Sequence, residues 1–208
     1  KVIKREIGIY LIVCLVFVLF ILNQQISQIE GLILFMGIIG YTILCIKKPS
    51  IDPVEVDDPL HSTIGTWLLL ILGILLLYFG SKLFVIGAID LAHYFHVNEV
   101  VIGMTVVAFG TSLPEFATCI VAALRKESAI SIGNIIGSNL FNILSVIGLV
   151  ALVKPIDVDA GILLFEIPVM ILFGLVLIPL SLMKQPMSRI SSFLLFMGYV
   201  LFVLYLYF

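Results

Sequence analysis

Apolar residues run almost unbroken through seven stretches of the chain, 7–22, 29–46, 64–92, 100–124, 129–153, 162–182 and 193–208, with most of the charged residues between them. A helix needs ~20 apolar residues to cross the hydrocarbon of a bilayer, and these stretches are of that order or longer. The pattern predicts an all-α, polytopic membrane protein with seven transmembrane helices. Lys1, Lys4 and Arg5 ahead of the first stretch resemble the start of a signal peptide, but no small-x-small cleavage site follows at Asn23-Gln24-Gln25, so the stretch is kept as a helix.

Composition agrees. Of 208 residues, 62% are hydrophobic and 12% charged, with a mean hydropathy of +1.28, well above soluble domains. Seven helices leave no room for a large domain outside the membrane. Eleven basic and thirteen acidic residues give a net charge of −2, which offers no basic surface and excludes a nucleic-acid partner while leaving lipid as the surrounding partner. Cys14, Cys45 and Cys119 each lie inside an apolar run and read as small core residues. No nucleophile and base pair, cofactor fingerprint or histidine cluster is present, so no catalytic residue is assigned and an enzyme is not expected. The chain begins at Lys1 instead of methionine, from which we expect a piece of a longer protein.

Alternating the seven helices places Lys1, Lys4, Arg5, Lys47, Lys48, Arg125, Lys126, Lys184 and Arg189 on one side of the membrane and only Lys154 among loop cations on the other. The positive-inside rule makes the first side cytoplasmic. The expected orientation in the inner or plasma membrane has the N-terminus of this chain inside and its C-terminus outside. The segment after Lys48, with Pro49, Pro53 and Pro59 among Asp52, Glu55, Asp57 and Asp58, then reads as an extended cytoplasmic linker.

Laid on itself at an offset of 161, the chain matches Ser27-Gln28-Ile29 with Ser188-Arg189-Ile190 and Leu34-Phe35-Met36-Gly37 with Leu195-Phe196-Met197-Gly198. The two hairpins connect on opposite sides of the membrane, so the copies have inverted topology, an architecture used by many secondary transporters. The last five helices would form one repeat, 62–208; residues 1–47 would be the last two helices of an earlier one, joined by a linker at 48–61. On that reading the chain is part of a ten-helix inverted-repeat fold lacking its first α-repeat.

The polar exceptions fall in the fourth and fifth stretches. Glu115 stands ten positions before Arg125, ~15 Å along a helix, which is the middle of a ~30 Å hydrocarbon layer. A carboxylate there costs at least ~3 kcal/mol and usually marks an ion or proton path. Gly110 loosens the backbone and Pro114 removes a donor and crowds the carbonyl four residues back, so carbonyls near Ala108 are expected to turn toward a cation. Thr111 and Ser112 share the helix face of Glu115. In the fifth stretch Asn134, Ser138 and Asn142 recur every four residues, beside a Gly133-x-x-x-Gly137 pair that permits close helix approach. An antiparallel pairing about Lys126 brings Ser138 level with Glu115 and Asn142 level with Thr111. Oxygen ligands without sulfur or imidazole suit Ca²⁺ or Na⁺. One glutamate is too little charge for Ca²⁺. Lys82, in the third stretch, reads as a snorkelling cation.

At these residues the sequence resembles the cation/Ca²⁺ exchanger superfamily, most closely the prokaryotic sodium/calcium exchangers. The resemblance is carried by Gly110-Thr111-Ser112-Leu113-Pro114-Glu115 followed by Gly133-Asn134-Ile135-Ile136-Gly137-Ser138-Asn139-Leu140-Phe141-Asn142, which is similar to the second α-repeat of that family. It implies metal ligands from the Ala108 carbonyl, Thr111, Ser112, Glu115, Ser138 and Asn142, with Ca²⁺ and Na⁺ as transported ions. It also implies alternating access, with the 64–92 helix as part of a sliding gate. Some members carry aspartate at the position of Asn142, potassium-dependent exchangers among them, so Asn142 argues against K⁺ cotransport. No second Gly-Thr-Ser-x-Pro-Glu occurs in the 208 residues, and the resemblance implies the first α-repeat as a missing N-terminal partner. A calcium/proton antiporter of the same fold and a nontransporting scaffold subunit are the alternatives.

Overall fold

The structure, a computed structural model, describes residues 2–48, 63–182 and 188–207. The predicted acidic linker lies outside the described residues. Every predicted apolar stretch is mainly helical over its described part, with turns at Leu22, Ser112 and Phe165. The first and second become α1 (Val2–Ile21) and α2 (Gln28–Lys47), separated by a two-residue strand, β1 (Gln25–Ile26). The third becomes α3 (Thr63–Tyr94). The fourth is divided into α4 (Glu99–Ile102), a π-helical turn at Gly103–Val107, α5 (Ala108–Thr111) and α6 (Leu113–Leu124). The fifth runs through α7 (Ser128–Phe141), a second π-helical turn at Asn142–Ile147, and α8 (Gly148–Val153). Strand β2 (Ile156–Asp157), α9 (Ala160–Leu164), α10 (Glu166–Leu182) and α11 (Arg189–Tyr207) complete the order.

Among the described residues three helical segments are long and apolar enough to cross a membrane, Gln28–Lys47, Ile64–Tyr94 and Ala129–Val153, and the bent pair Thr105–Thr111 with Leu113–Leu124 makes a fourth. The remaining apolar helices are shorter or more charged; α1, for instance, carries Lys4, Arg5 and Glu6 near its start. Trp67, Leu68 and Leu76 on α3 are all more than half exposed. Apolar surface of that extent along one helix calls for hydrocarbon around it, and the protein is an integral membrane protein.

The helices gather into two compact units. The first contains α1, α2, α7, α8, α9 and α10. Its core follows a stripe along α1, where Ile7, Tyr10, Cys14, Phe17 and Ile21 are buried at intervals of three and four, one face of a helix. Ile136, Leu140, Ile143 and Leu144 bury against that core from α7 and its π-turn. Where α2 crosses α8 the backbones come so close that a Cβ on Gly31 would stand 2.6 Å from the Leu152 nitrogen. Buried Glu6 draws the ends of α1 and α2 together. Its carboxylate accepts from the Arg5 guanidinium at 2.6 and 3.0 Å and from the Tyr41 hydroxyl at 2.7 Å, while Arg5 also donates to the Lys48 carbonyl at 2.8 Å. At the opposite end of α1, β1 pairs antiparallel with β2, Gln25 facing Asp157 and Ile26 facing Ile156. The Gln25 amide donates to Asp157 Oδ1 at 2.8 Å and the Val158 N–H to the Gln24 carbonyl at 2.8 Å.

The second unit holds α3, α4, α5, α6 as far as Val121, and α11. Here α3 packs on α5 and on the π-turn before it. The two serines matched at an offset of 161 do the same local work. Ser27 caps α2, accepting the Glu30 N–H, while Glu30 accepts from the Ser27 N–H in return, a reciprocal capping box. Ser188 accepts the Ser191 N–H at 3.1 Å at the start of α11.

Candidate functional site

The break between α5 and α6 positions the first half of the site. Ser112 leaves the helical region, with φ −90° and ψ 2°, and the axis turns by 51°. Pro114 accounts for the location, since its ring cannot coexist with a regular turn and it supplies no N–H to the carbonyl four residues back. The chain resumes with Phe116 donating to the Ser112 carbonyl at 2.9 Å. Glu115 therefore occupies the first turn of α6, where unpaired N–H groups and the helix dipole stabilise negative charge. Ala108, Thr111 and Ser112 are exposed and Glu115 is half-buried.

The hydroxyls around the break bond back to their own helices. Thr111 Oγ1 donates to the Ala108 carbonyl at 3.0 Å, and in α7 Ser138 Oγ donates to the Ile135 carbonyl at 3.1 Å. A hydroxyl has one hydrogen and two lone pairs. Once the hydrogen is committed to the backbone, the oxygen faces outward only as an acceptor, which is what a hard cation binds. The Ala108 carbonyl differs from expectation: it receives both the Thr111 hydroxyl and the Ser112 N–H, the latter at 3.3 Å, in place of turning outward.

A groove of about 550 Å³ opens beside the break within the second unit. Tyr78, Ser81 and Lys82 line it from α3, and Gly110, Thr111 and Pro114 from the broken helix. At its edge Gly110 has no side chain, which lets α3 approach until Val85 takes the space a Cβ on Gly110 would need.

Ser138 and Asn142 belong to the first unit, on the face of α7 opposite the buried Ile136 and Leu140. Asn134 and Ser138 are half-buried and Asn142 is exposed, at the first position of the second π-turn. The structure thus brings Ala108, Thr111, Ser112 and Glu115 together on one broken helix and carries Ser138 and Asn142 on a second helix.

Two polar residues near these motifs escaped the sequence reading. Thr105 and Ser145 are buried, each inside a π-turn. Thr105 donates to the Val101 carbonyl at 2.6 Å. A hydroxyl within an apolar run was the available signal, but neither falls on the four-residue spacing that picked out the others. Single π-turns frequently mark functional sites, and here they adjoin Ala108 and begin at Asn142.

Comparison with known proteins places these elements among ion exchangers. The family described as sodium/calcium exchanger protein matches residues 65–208. The chain is 35% identical over 198 residues to the putative antiporter CaxA of Alkalimonas amylolytica, covering 91% of this chain and 62% of that protein. It is 42% identical over 97 residues to the sodium/calcium exchanger MaX1 of Methanosarcina acetivorans, covering 47% of this chain and 28% of that one. Among solved structures, the sodium-calcium exchanger NCX_Mj soaked with Na⁺ and Ca²⁺ superposes with a TM-score of 0.70 at 27% identity, covering all of this chain and 64% of the other. The chain spans a little over three-fifths of the length of CaxA and of NCX_Mj.

Proposed function

The chain belongs to the sodium/calcium exchanger family, and we propose that it comprises the last two helices of the first repeat, 1–47, and the whole second α-repeat, 62–208, of a sodium/calcium antiporter working by alternating access. The observation that carries this is the break at Ser112: a helix within a membrane-crossing segment turns by 51° where it bears Thr111, Ser112 and Glu115. A break there exposes oxygen acceptors and a carboxylate where a continuous apolar helix would expose none.

In this proposal Glu115 supplies the charge, Thr111, Ser112 and Ser138 supply hydroxyl oxygens, and Asn142 an amide oxygen, to Ca²⁺ and Na⁺ competing for overlapping sites. The Ala108 carbonyl joins them when the Thr111 hydroxyl lets go of it. One carboxylate leaves Ca²⁺ undercompensated in a low-dielectric site, so the working protein pairs this repeat with a first repeat of opposite orientation carrying its own Gly-Thr-Ser-x-Pro-Glu. The end bearing Lys47 and Lys126 faces the cytoplasm, following the cation distribution.

The test is ⁴⁵Ca²⁺ uptake by proteoliposomes holding the full-length protein. An outward Na⁺ gradient should drive uptake, and Glu115→Gln should abolish it. Uptake driven by a pH gradient and indifferent to Na⁺ would replace this reading with calcium/proton exchange. Uptake undiminished in Glu115→Gln would remove Glu115 from the site.

A further inference from the structure

The third apolar stretch, 64–92, contains a single basic residue, Lys82. A helix centred on the bilayer would hold it too deep to snorkel. α3 has 32 residues, about 48 Å of helix, and with its centre at the bilayer midplane position 82 lies about 5 Å from that plane and about 10 Å short of the nearer interface. A lysine side chain reaches only about 6 Å. Lys82 instead lines the groove beside the helix break.

The register brings it to the site. Ala88 shares an apolar groove with Thr105, Val85 meets Gly110, and Lys82 shares the larger groove with Thr111 and Pro114, so the two helices run antiparallel with Lys82 level with the break. The groove is lined mainly by apolar groups, Ile74, Leu77, Val85 and Ile86 among them, and its few polar side chains gather at Tyr78, Ser81, the exposed Lys82 and Thr111. Ser81 Oγ donates its hydrogen to the Tyr78 carbonyl at 3.0 Å, as Thr111 does to Ala108, and both hydroxyl oxygens are left with lone pairs alone. An ammonium, with three donors and no acceptor, suits those oxygens as well as a metal ion does.

We propose that Lys82 is a fixed cation in the groove beside Thr111, close enough to the helix break that its charge opposes ions held at Thr111 and Glu115 and sets the balance between Ca²⁺ and Na⁺. The inference rests on the exchanger reading above. It makes Lys82 a specificity-determining residue. The energy between a fixed charge and an ion is proportional to the charge on the ion, so Lys82 opposes Ca²⁺ twice as strongly as Na⁺ at the same position. The tethered charge also balances Glu115 when no ion is bound, and so favours release of Ca²⁺, which an exchanger must give up in every cycle.

The experiment is equilibrium ⁴⁵Ca²⁺ binding, with Na⁺ competition, on the full-length protein in lipid nanodiscs. Lys82→Met and Lys82→Gln should both tighten Na⁺ binding by about threefold and Ca²⁺ binding by about the square of that factor, roughly tenfold. Lys82→Arg should bind both ions as wild type does. Two neutral variants guard against a local packing effect of either one. Unchanged affinities, equal factors for the two ions, or an arginine variant that behaves like the neutral ones would each overturn the role given to Lys82. Absence of Ca²⁺ binding by the wild-type protein would overturn the exchanger reading itself, and the role of Lys82 with it.

Discussion

Gly110 lies directly against Val85, so closely that a methyl group on its α-carbon would overlap the Cγ2 methyl of Val85. The contact joins α3 to the helix immediately before the break and keeps the groove narrow between them. Gly110→Ala should therefore destabilise the protein by about 1–3 kcal/mol through overpacking, read as a fall in melting temperature in detergent. Adding Val85→Ala should restore most of the loss, because it removes the methyl groups that the new side chain would strike.

Hydroxyls that donate backward should matter only where their oxygens meet an ion. Thr111→Val, which keeps the shape and removes the oxygen, is expected to weaken Ca²⁺ binding by about tenfold, equivalent to about 1.4 kcal/mol. Thr118 makes the same kind of bond, to the Pro114 carbonyl at 2.9 Å, but belongs to no part of the proposed ligand set. Thr118→Val should leave ⁴⁵Ca²⁺ binding at the wild-type level. Equal losses in the two variants would show that helix geometry, and not oxygen ligation, is what the threonines supply.

The crossing of α2 and α8 gives a separate prediction about stability. At Gly31 an added Cβ meets the Leu152 nitrogen at 2.6 Å and the Ala151 carbonyl carbon at 2.8 Å. Backbone atoms cannot rotate away as side-chain atoms do, so Gly31→Ala should fall at or above the upper end of the overpacking range, about 3 kcal/mol. Gly40, on the same helix, has open space around it. Gly40→Ala should be neutral or stabilising by a few tenths of a kcal/mol up to about 1 kcal/mol, since alanine is the better helix former. Thermal unfolding of the pair distinguishes them.

Tyr41→Phe removes one of the donors to buried Glu6 while leaving those of Arg5 in place. Taking one hydrogen bond from a buried carboxylate costs about 1–3 kcal/mol. The loss should appear as earlier unfolding, with ion binding unchanged, because Glu6 lies far along α1 from the polar stripe of α7 in sequence and serves the helix ends.

The helix break could be read before any coordinates because its signals are local. Gly110 and Pro114 lie four residues apart and act on the same turn, and the break falls between them at Ser112. Asn134, Ser138 and Asn142 keep helical spacing and do share a face. The π-turns were illegible because the four-residue arithmetic presumes a regular helix; an extra residue in a turn rotates everything beyond it, and so Thr105 and Ser145 fell outside the pattern. The division into two compact units was illegible for another reason. It cuts near Ala122, inside a continuous helix, where hydrophobicity does not change. The pairing of Gln25 with Asp157 joins positions 132 residues apart through strands of two residues, too short to leave any periodic trace. Ser27 and Ser188 were matched only as aligned letters at an offset of 161, yet both prove to hold the first N–H groups of a helix.

That short strand pair has a practical use. Two backbone-bonded loops, one following α1 and the other preceding α9, are tied within a single compact unit, so they form a fixed landmark however the rest of the protein rearranges. Spin labels at Gln24 and Val158 should report one narrow distance distribution in Na⁺, in Ca²⁺ and in neither. Distances from either label to a third site on α3 then become a ruler whose zero does not drift.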